Sequence, residues 1–276
     1  MKTILAATDY SKPSVNALHY AIMLAKQTKS RLLLLHVFQV PVIPSQGAIA
    51  VIPFSEFEKM HNNKLKKIAL TLQKKYGNTI EITYLAKAGF VFDVVEELIK
   101  NKKADLVVMG IKGAGKVSEI FIGSTASDVA GNIKCPVLIV PEKFSFEKPK
   151  KMVFASDNEM PADPSNLIIL KELASVFKSK LLLLNVRNQN KLISSEKKKI
   201  FHIERYLSGI SCSDHFVNNE YDDVVTAINA FLEENKTDML IMIARKHSLL
   251  SRLFNERKTK KMAFHTRVPL LVLSDK

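Results

Sequence analysis

In the first half of the chain, short apolar runs alternate with stretches in which apolar residues recur every three or four positions. Such alternation predicts strands and helices taking turns to build a parallel sheet. The runs place strands at Thr3 to Thr8, Arg31 to Phe38, Thr79 to Lys87, Asp105 to Gly110 and Pro136 to Pro141. The second and fourth read as continuously apolar through Leu32 to Leu35 and Leu106 to Met109, as strands covered by helices on both faces do. Between the first two, Ser14 to Thr28 carries Val15, Leu18, Ile22 and Ala25 at helical spacing, which predicts one buried stripe. Phe54 to Tyr76 and Phe90 to Asn101 have the same character. Val40 to Pro53 holds Pro41, Pro44, Gly47 and Pro53, and reads as a long loop with the reach of a lid.

The pattern then restarts. Met152-Val153-Phe154-Ala155-Ser156-Asp157 echoes Ile4-Leu5-Ala6-Ala7-Thr8-Asp9, and Lys180 to Val186 echoes Arg31 to Val37. Asp105 to Met109 matches Asp238 to Met242 at the same offset that aligns Cys135-Pro136-Val137-Leu138 with Val268-Pro269-Leu270-Leu271. The chain therefore reads as an internal duplication. Residues 1–141 form one α/β unit, the charged and aperiodic stretch 142–150 a linker, and 151–276 a second unit. The expected fold is two tandem doubly wound parallel five-stranded sheets of order 3-2-1-4-5 with helices on both faces.

A length of 276 residues suits two domains, and 47% apolar with 25% charged residues is a globular composition. The two cysteines, Cys135 and Cys212, stand alone in different halves, which gives no support to a zinc site or a disulfide framework and fits a reducing cytoplasm. Thr8 and Asp9 interrupt the apolar opening, so a signal peptide is not expected, and no run approaches membrane-spanning length. The formal charge of +14 would draw anionic ligands, but the lysines are dispersed and no aromatic stripe interleaves with arginine. They predict solvated helix faces rather than a nucleic-acid interface.

Chemistry concentrates in Met109-Gly110-Ile111-Lys112-Gly113 and its continuation to Gly123-Ser124-Thr125, with the form G, two residues, G, nine residues, G-S. Gly110 ends an apolar strand, and Gly123-Ser124-Thr125 opens a helical pattern over Ala126 to Ile133. Unpaired amides in that first turn favour an anion, glycines let main chain approach it, and Ser124 and Thr125 add hydroxyl donors. Asp9 closes the first strand. In a sheet of order 3-2-1-4-5 it faces Gly110 across the crevice where the order reverses, with Val37 and Phe38 as candidate walls of a base pocket.

Ala7-Thr8-Asp9, Val108-Met109-Gly110, the glycine loop and Cys135-Pro136-Val137 together resemble the universal stress protein family, once per half. The resemblance implies that Asp9, beside Thr8, meets a ribose. It implies that Gly110, Gly113, Gly123, Ser124 and Thr125, beside Met109, meet the phosphates of ATP, with AMP, ADP and Mg²⁺ as alternatives or companions. It further implies a stress-response sensor or adaptor in the cytoplasm acting on an unidentified protein partner, and pairing of the two units through Pro136 to Pro141 and Pro269 to Leu273. A homodimer stays open.

At the same offset the second half has Ile243 for Gly110, Lys246 for Gly113, Glu256 for Gly123, Arg257 for Ser124 and Lys258 for Thr125. Side chains replace bare main chain and Glu256 repels phosphate, so nucleotide is expected in the first half alone. A P-loop is excluded because Val117 follows Gly115-Lys116 where a hydroxyl must hold Mg²⁺. No paired carboxylates or nucleophile with a base adjoin the crevice, which leaves a ligand-free scaffold and a slow ATP-hydrolysing enzyme as the alternative readings. His36, inside an apolar strand, reads as a hydrogen-bonded core or crevice histidine, and Cys135 as packing.

Overall fold

A computed structural model describes residues 1–39, 54–112, 124–156, 164–187, 205–218, 224–244 and 267–275. The first half contributes β1 (Thr3–Ala7), β2 (Arg31–Phe38), β3 (Ile82–Ala88), β4 (Leu106–Ile111) and β5 (Val137–Pro141). The second contributes β6 (Lys151–Ser156), β7 (Lys180–Arg187), β8 (Ser211–Asn218), β9 (Met239–Ala244) and β10 (Leu270–Ser274). The helices are α1 (Lys12–Thr28), α2 (Phe54–Tyr76), α3 (Val91–Lys100), α4 (Ser124–Asn132), α5 (Ile168–Phe177) and α6 (Val224–Glu234). Among the described residues, no helix is long and apolar enough to cross a membrane.

Each half has the expected 3-2-1-4-5 order with parallel neighbours, and the two sheets fuse into a single ten-stranded sheet, β3-β2-β1-β4-β5-β10-β9-β6-β7-β8. The seam is antiparallel: Leu270 lies opposite Ile139, Leu271 opposite Leu138 and Val272 opposite Val137. An apolar strand at a sheet edge is an exposed template for pairing, and each half covers the other's.

Side chains alternate between the two faces, and both cores run unbroken across the seam. One face gathers Ile4, Leu34, Leu138, Phe154 and Leu271 under α1, α2 and α5. The other gathers Leu5, Leu35, Ile139, Val153 and Val272 under α3, α4 and α6. Such period-two partition is what strands buried on both sides require.

Two expectations need correction. β3 begins at Ile82 rather than Thr79, because Gly77, at φ +91°, closes α2 with a hydrogen bond to Gln73 O and the following turn consumes the intervening residues. Val15 is not part of the buried stripe of α1: it is 36% exposed, while Ser14 and Ala17 turn inward instead. The stretch 142–150 packs against α1. Phe144 and Phe146 lie against Tyr20 at ring-centroid distances of 6.4 and 5.0 Å, and Asn16 Nδ2 donates to Pro141 O and Phe144 O at 3.0 and 2.9 Å. The candidate lid, Val40 to Pro53, lies outside the described residues.

Candidate functional site

β1 is flanked by β2 on one side and β4 on the other, and the connections leave these strands in opposite directions. Their carboxyl ends therefore part, and a cleft of about 510 Å³ opens there. Thr8 and Asp9 form its floor, Val37 one wall, Met109 and Gly110 the other, and Thr125 faces them from the first turn of α4.

Asp9 is held by the turn that starts α1. Ser11 caps the helix, and its backbone N–H and hydroxyl donate to Asp9 Oδ1 at 3.0 and 2.5 Å. Partial burial pushes the Asp9 carboxyl upward. The hydroxyls of Ser11 and Ser14 and the Ser11 N–H outweigh it and hold the group below the usual carboxylate range, so it is anionic at neutral pH. Thr8 is buried, and its hydroxyl is shared with Ser14 Oγ at 2.9 Å and accepts from Tyr10 N–H at 3.0 Å. Thr8 thus shapes the turn that aims its neighbour.

Tyr10 takes φ +67°, a left-handed conformation costly for a residue with a Cβ, and it is secured from behind. Its ring lies 4.2 Å from His36 and carries Lys64 Nζ 3.5 Å from its centroid. His36 is 4.5 Å from His61, which stacks on Phe38 at 4.6 Å. His36 Nδ1 contacts Thr8 O at 2.8 Å, and since a carbonyl only accepts, the ring proton sits on Nδ1. Burial pushes the Tyr10 phenol up to about 12, and its hydroxyl has no hydrogen-bond partner among the described residues.

Burial also lowers both histidines. For His36, Lys64 adds to the effect against the Thr8 carbonyl and Asp9, and for His61 both His36 and Lys64 add to it. Both rings are therefore neutral at pH 7. As pH falls below about 6.5, the unfolded chain takes up protons that the folded cluster refuses, so stability is complete above that value and declines through the window beneath it. Urea unfolding midpoints are expected to drop from pH 7 to pH 5 more steeply in the wild type than in His61→Phe, which keeps a ring in the stack. Equal slopes would contradict the assignment.

Gly110 carries a packing demand of its own. A Cβ there would meet Pro13 O at 2.2 Å and Ser14 N at 2.8 Å, so the start of α1 rests directly on the end of β4. This contact requires glycine independently of any phosphate. In the second half the equivalent Ile243 is buried in the core, and the helix after β6 is a 3₁₀ turn over Pro164–Leu167 that becomes α-helical only at Ile168.

The structure brings Thr8, Asp9, Val37, Met109, Gly110 and Thr125 to one cleft. It does not bring Phe38 there: odd-numbered residues of β2 face the cleft, and Phe38 points to the opposite face with His61. Ser124 opens α4, while Gly113 and Gly123, like Asp157, Lys246 and Glu256 to Lys258, lie outside the described residues. Ser11, Ser14 and Lys112 also line the cleft and were not anticipated. The sequence signal for the two serines was available, as Ser11 with Pro13 two residues later is a helix-start pattern.

A sequence model described as the Universal stress protein family matches residues 1–141. The chain belongs to the universal stress protein family. A universal stress protein of Methanocaldococcus jannaschii is 32% identical over 153 residues, spanning 54% of this chain and 84% of that protein. One from Synechocystis is 30% identical over 147 residues, spanning 50% and 96%. The structure of a universal stress protein from Archaeoglobus fulgidus superposes with a TM-score of 0.73 at 18% identity, covering 99% of this chain and 98% of that one. The doubled architecture of this universal stress protein therefore has a whole-length counterpart.

Proposed function

We infer that this chain is an adenine-nucleotide-binding sensor or adaptor of the universal stress type, with ATP seated in the first half only. In this reading residues 1–141 are the binding unit, 142–150 the connection and 151–276 a degenerate partner unit. One observation carries it: an anionic carboxylate, Asp9, and the first turn of α4 face each other across a cleft of about 510 Å³. A fixed carboxylate accepts hydrogen bonds from a vicinal diol, while helix-start amides favour the negative end of the same molecule. Val37 and Met109 supply apolar surface for a base between these poles. Lys112, exposed at the cleft mouth, adds a cation near the phosphates.

The second half supports restriction to the first. Ile243, buried in the core, takes the strand position of Gly110, and in the sequence Glu256 to Lys258 replace Gly-Ser-Thr.

Asp9→Ala is expected to lower ATP affinity by about tenfold or more, the scale of one hydrogen bond to a charged group, while leaving affinity for inorganic triphosphate unchanged. Calorimetric titration of both ligands checks this. Equal ATP affinity in a variant with unaltered circular dichroism would remove Asp9 from the site.

A further inference from the structure

Lysines that are dispersed along the chain are sorted by the fold. Among the described helices, α1, α2 and α5 cover one face of the ten-stranded sheet and carry nine lysines against three glutamates. The helices of the other face, α3, α4 and α6, carry six carboxylates against one lysine. All eight lysines of α1 and α2 are exposed. Of the three glutamates, Glu172 is engaged by the Met1 ammonium at 2.6 Å, and Glu56 and Glu58 stand at the start of α2. From Lys59 to its end α2 has no carboxylate.

Exposed apolar residues follow the same division. Val15 on α1, Met60 and Leu70 on α2, and Ile168 and Val176 on α5 all reach solvent, with Met60 and Leu70 55% exposed and Ile168 64%. Among the described residues, α3, α4 and α6 expose no large apolar side chain. Single apolar residues on a surface are ordinary, but five on one side, set among lysines, give that side two attractions at once. Along α2, Met60, Lys67, Leu70 and Lys74 fall on one strip at helical spacing. Because α1 packs against both α2 and α5, the three helices present one continuous surface.

We propose that this face docks on an anionic lipid surface, its lysines meeting headgroup charge and its aliphatic side chains entering the boundary beneath. Lysine clusters are drawn to anionic headgroups, and shallow insertion of apolar side chains adds to that attraction. The residue types favour lipid over nucleic acid. These three helices contain no arginine, and their described aromatic side chains are buried or half-buried, so both forked donors and stacking platforms are missing. The acidic face is repelled by the same surface, which fixes which side of the sheet turns toward it. Docking of this kind does not depend on the nucleotide reading.

The test is co-sedimentation of the full chain with vesicles of phosphatidylcholine alone or with part of it replaced by phosphatidylglycerol. Partition is expected to favour the anionic vesicles by about tenfold or more. Raising salt from about 0.1 M to about 1 M, which shortens the screening length from about 10 Å to about 3 Å, is expected to remove most of that preference. Lys66→Glu, Lys67→Glu and Lys74→Glu together are expected to lower anionic partition at least about tenfold. The same net change made at Lys100, Lys102 and Lys103, at the end of α3, is expected to lower it by no more than about threefold. Met60→Ser with Leu70→Ser is expected to lower it about fivefold while leaving affinity for inorganic polyphosphate unchanged. Equal partition to both vesicle types, partition to neither, or equal losses from the two triple reversals overturns the docking face. Anionic partition indifferent to Met60→Ser with Leu70→Ser assigns the face to a dissolved polyanion and overturns the lipid surface as well.

Discussion

Valine at position 110 is expected to destabilise the chain by about 3 kcal/mol and to abolish ligand binding in the cleft together with it. The cause is main chain against main chain. A Cβ on residue 110 would stand 2.2 Å from the carbonyl oxygen of Pro13, and neither side can yield by rotating a side chain. Relief requires the first turn of α1 to move off β4. That movement would break the Ser14 to Thr8 hydroxyl contact and release the Ser11 cap that holds Asp9. Even Gly110→Ala is expected to cost well over 1 kcal/mol in urea titrations followed by circular dichroism. A Gly110→Ala protein as stable as the wild type would mean that the close approach does not exist.

Leu271→Asp is expected to be the more damaging of two seam substitutions, costing about 4 kcal/mol or more against about 2 to 5 for Leu271→Ala. Leu271 is fully buried in β10, opposite Leu138 of β5, in a core shared by both halves. An aspartate there must either take up a proton or open the seam, and both options draw on a total stability of about 5–15 kcal/mol. Since the chain has no tryptophan, far-ultraviolet circular dichroism is the suitable probe. A lower unfolding midpoint for both halves is the expected result. A first half that unfolds at its wild-type midpoint in Leu271→Asp would show that the cores on either side of the seam are energetically separate.

The sheet was legible because its strands announce themselves. Leu32 to Leu35 and Leu106 to Met109 are apolar at every position, and the repeat of Asp105 in Asp238 and of Pro136 in Pro269 aligns the halves without a gap. The end of β2 was not legible. Val37 and Phe38 are both apolar, and deciding which of them faces the cleft requires knowing that α2 delivers His61 to the other face. Asp9 could be found from its place at a strand end. The cluster that steadies it could not, since Tyr10, His36, His61 and Lys64 are scattered in sequence and meet only through tertiary packing. Gly110 stood out as exceptional for a different reason from the one that its surroundings impose. Its demanding neighbour is the chain's own helix, and a strand-to-loop pattern carries no record of that contact.

Titration of the labelled full-length protein with ATP, followed by amide resonances, addresses the nucleotide site most directly. Saturable shifts centred on Ala7 to Asp9, Met109 to Lys112 and Thr125 to Ala126, with β6, β7 and β9 unmoved, are the expected result. Shifts concentrated instead around β6 and β9, or none at millimolar ATP, would contradict it.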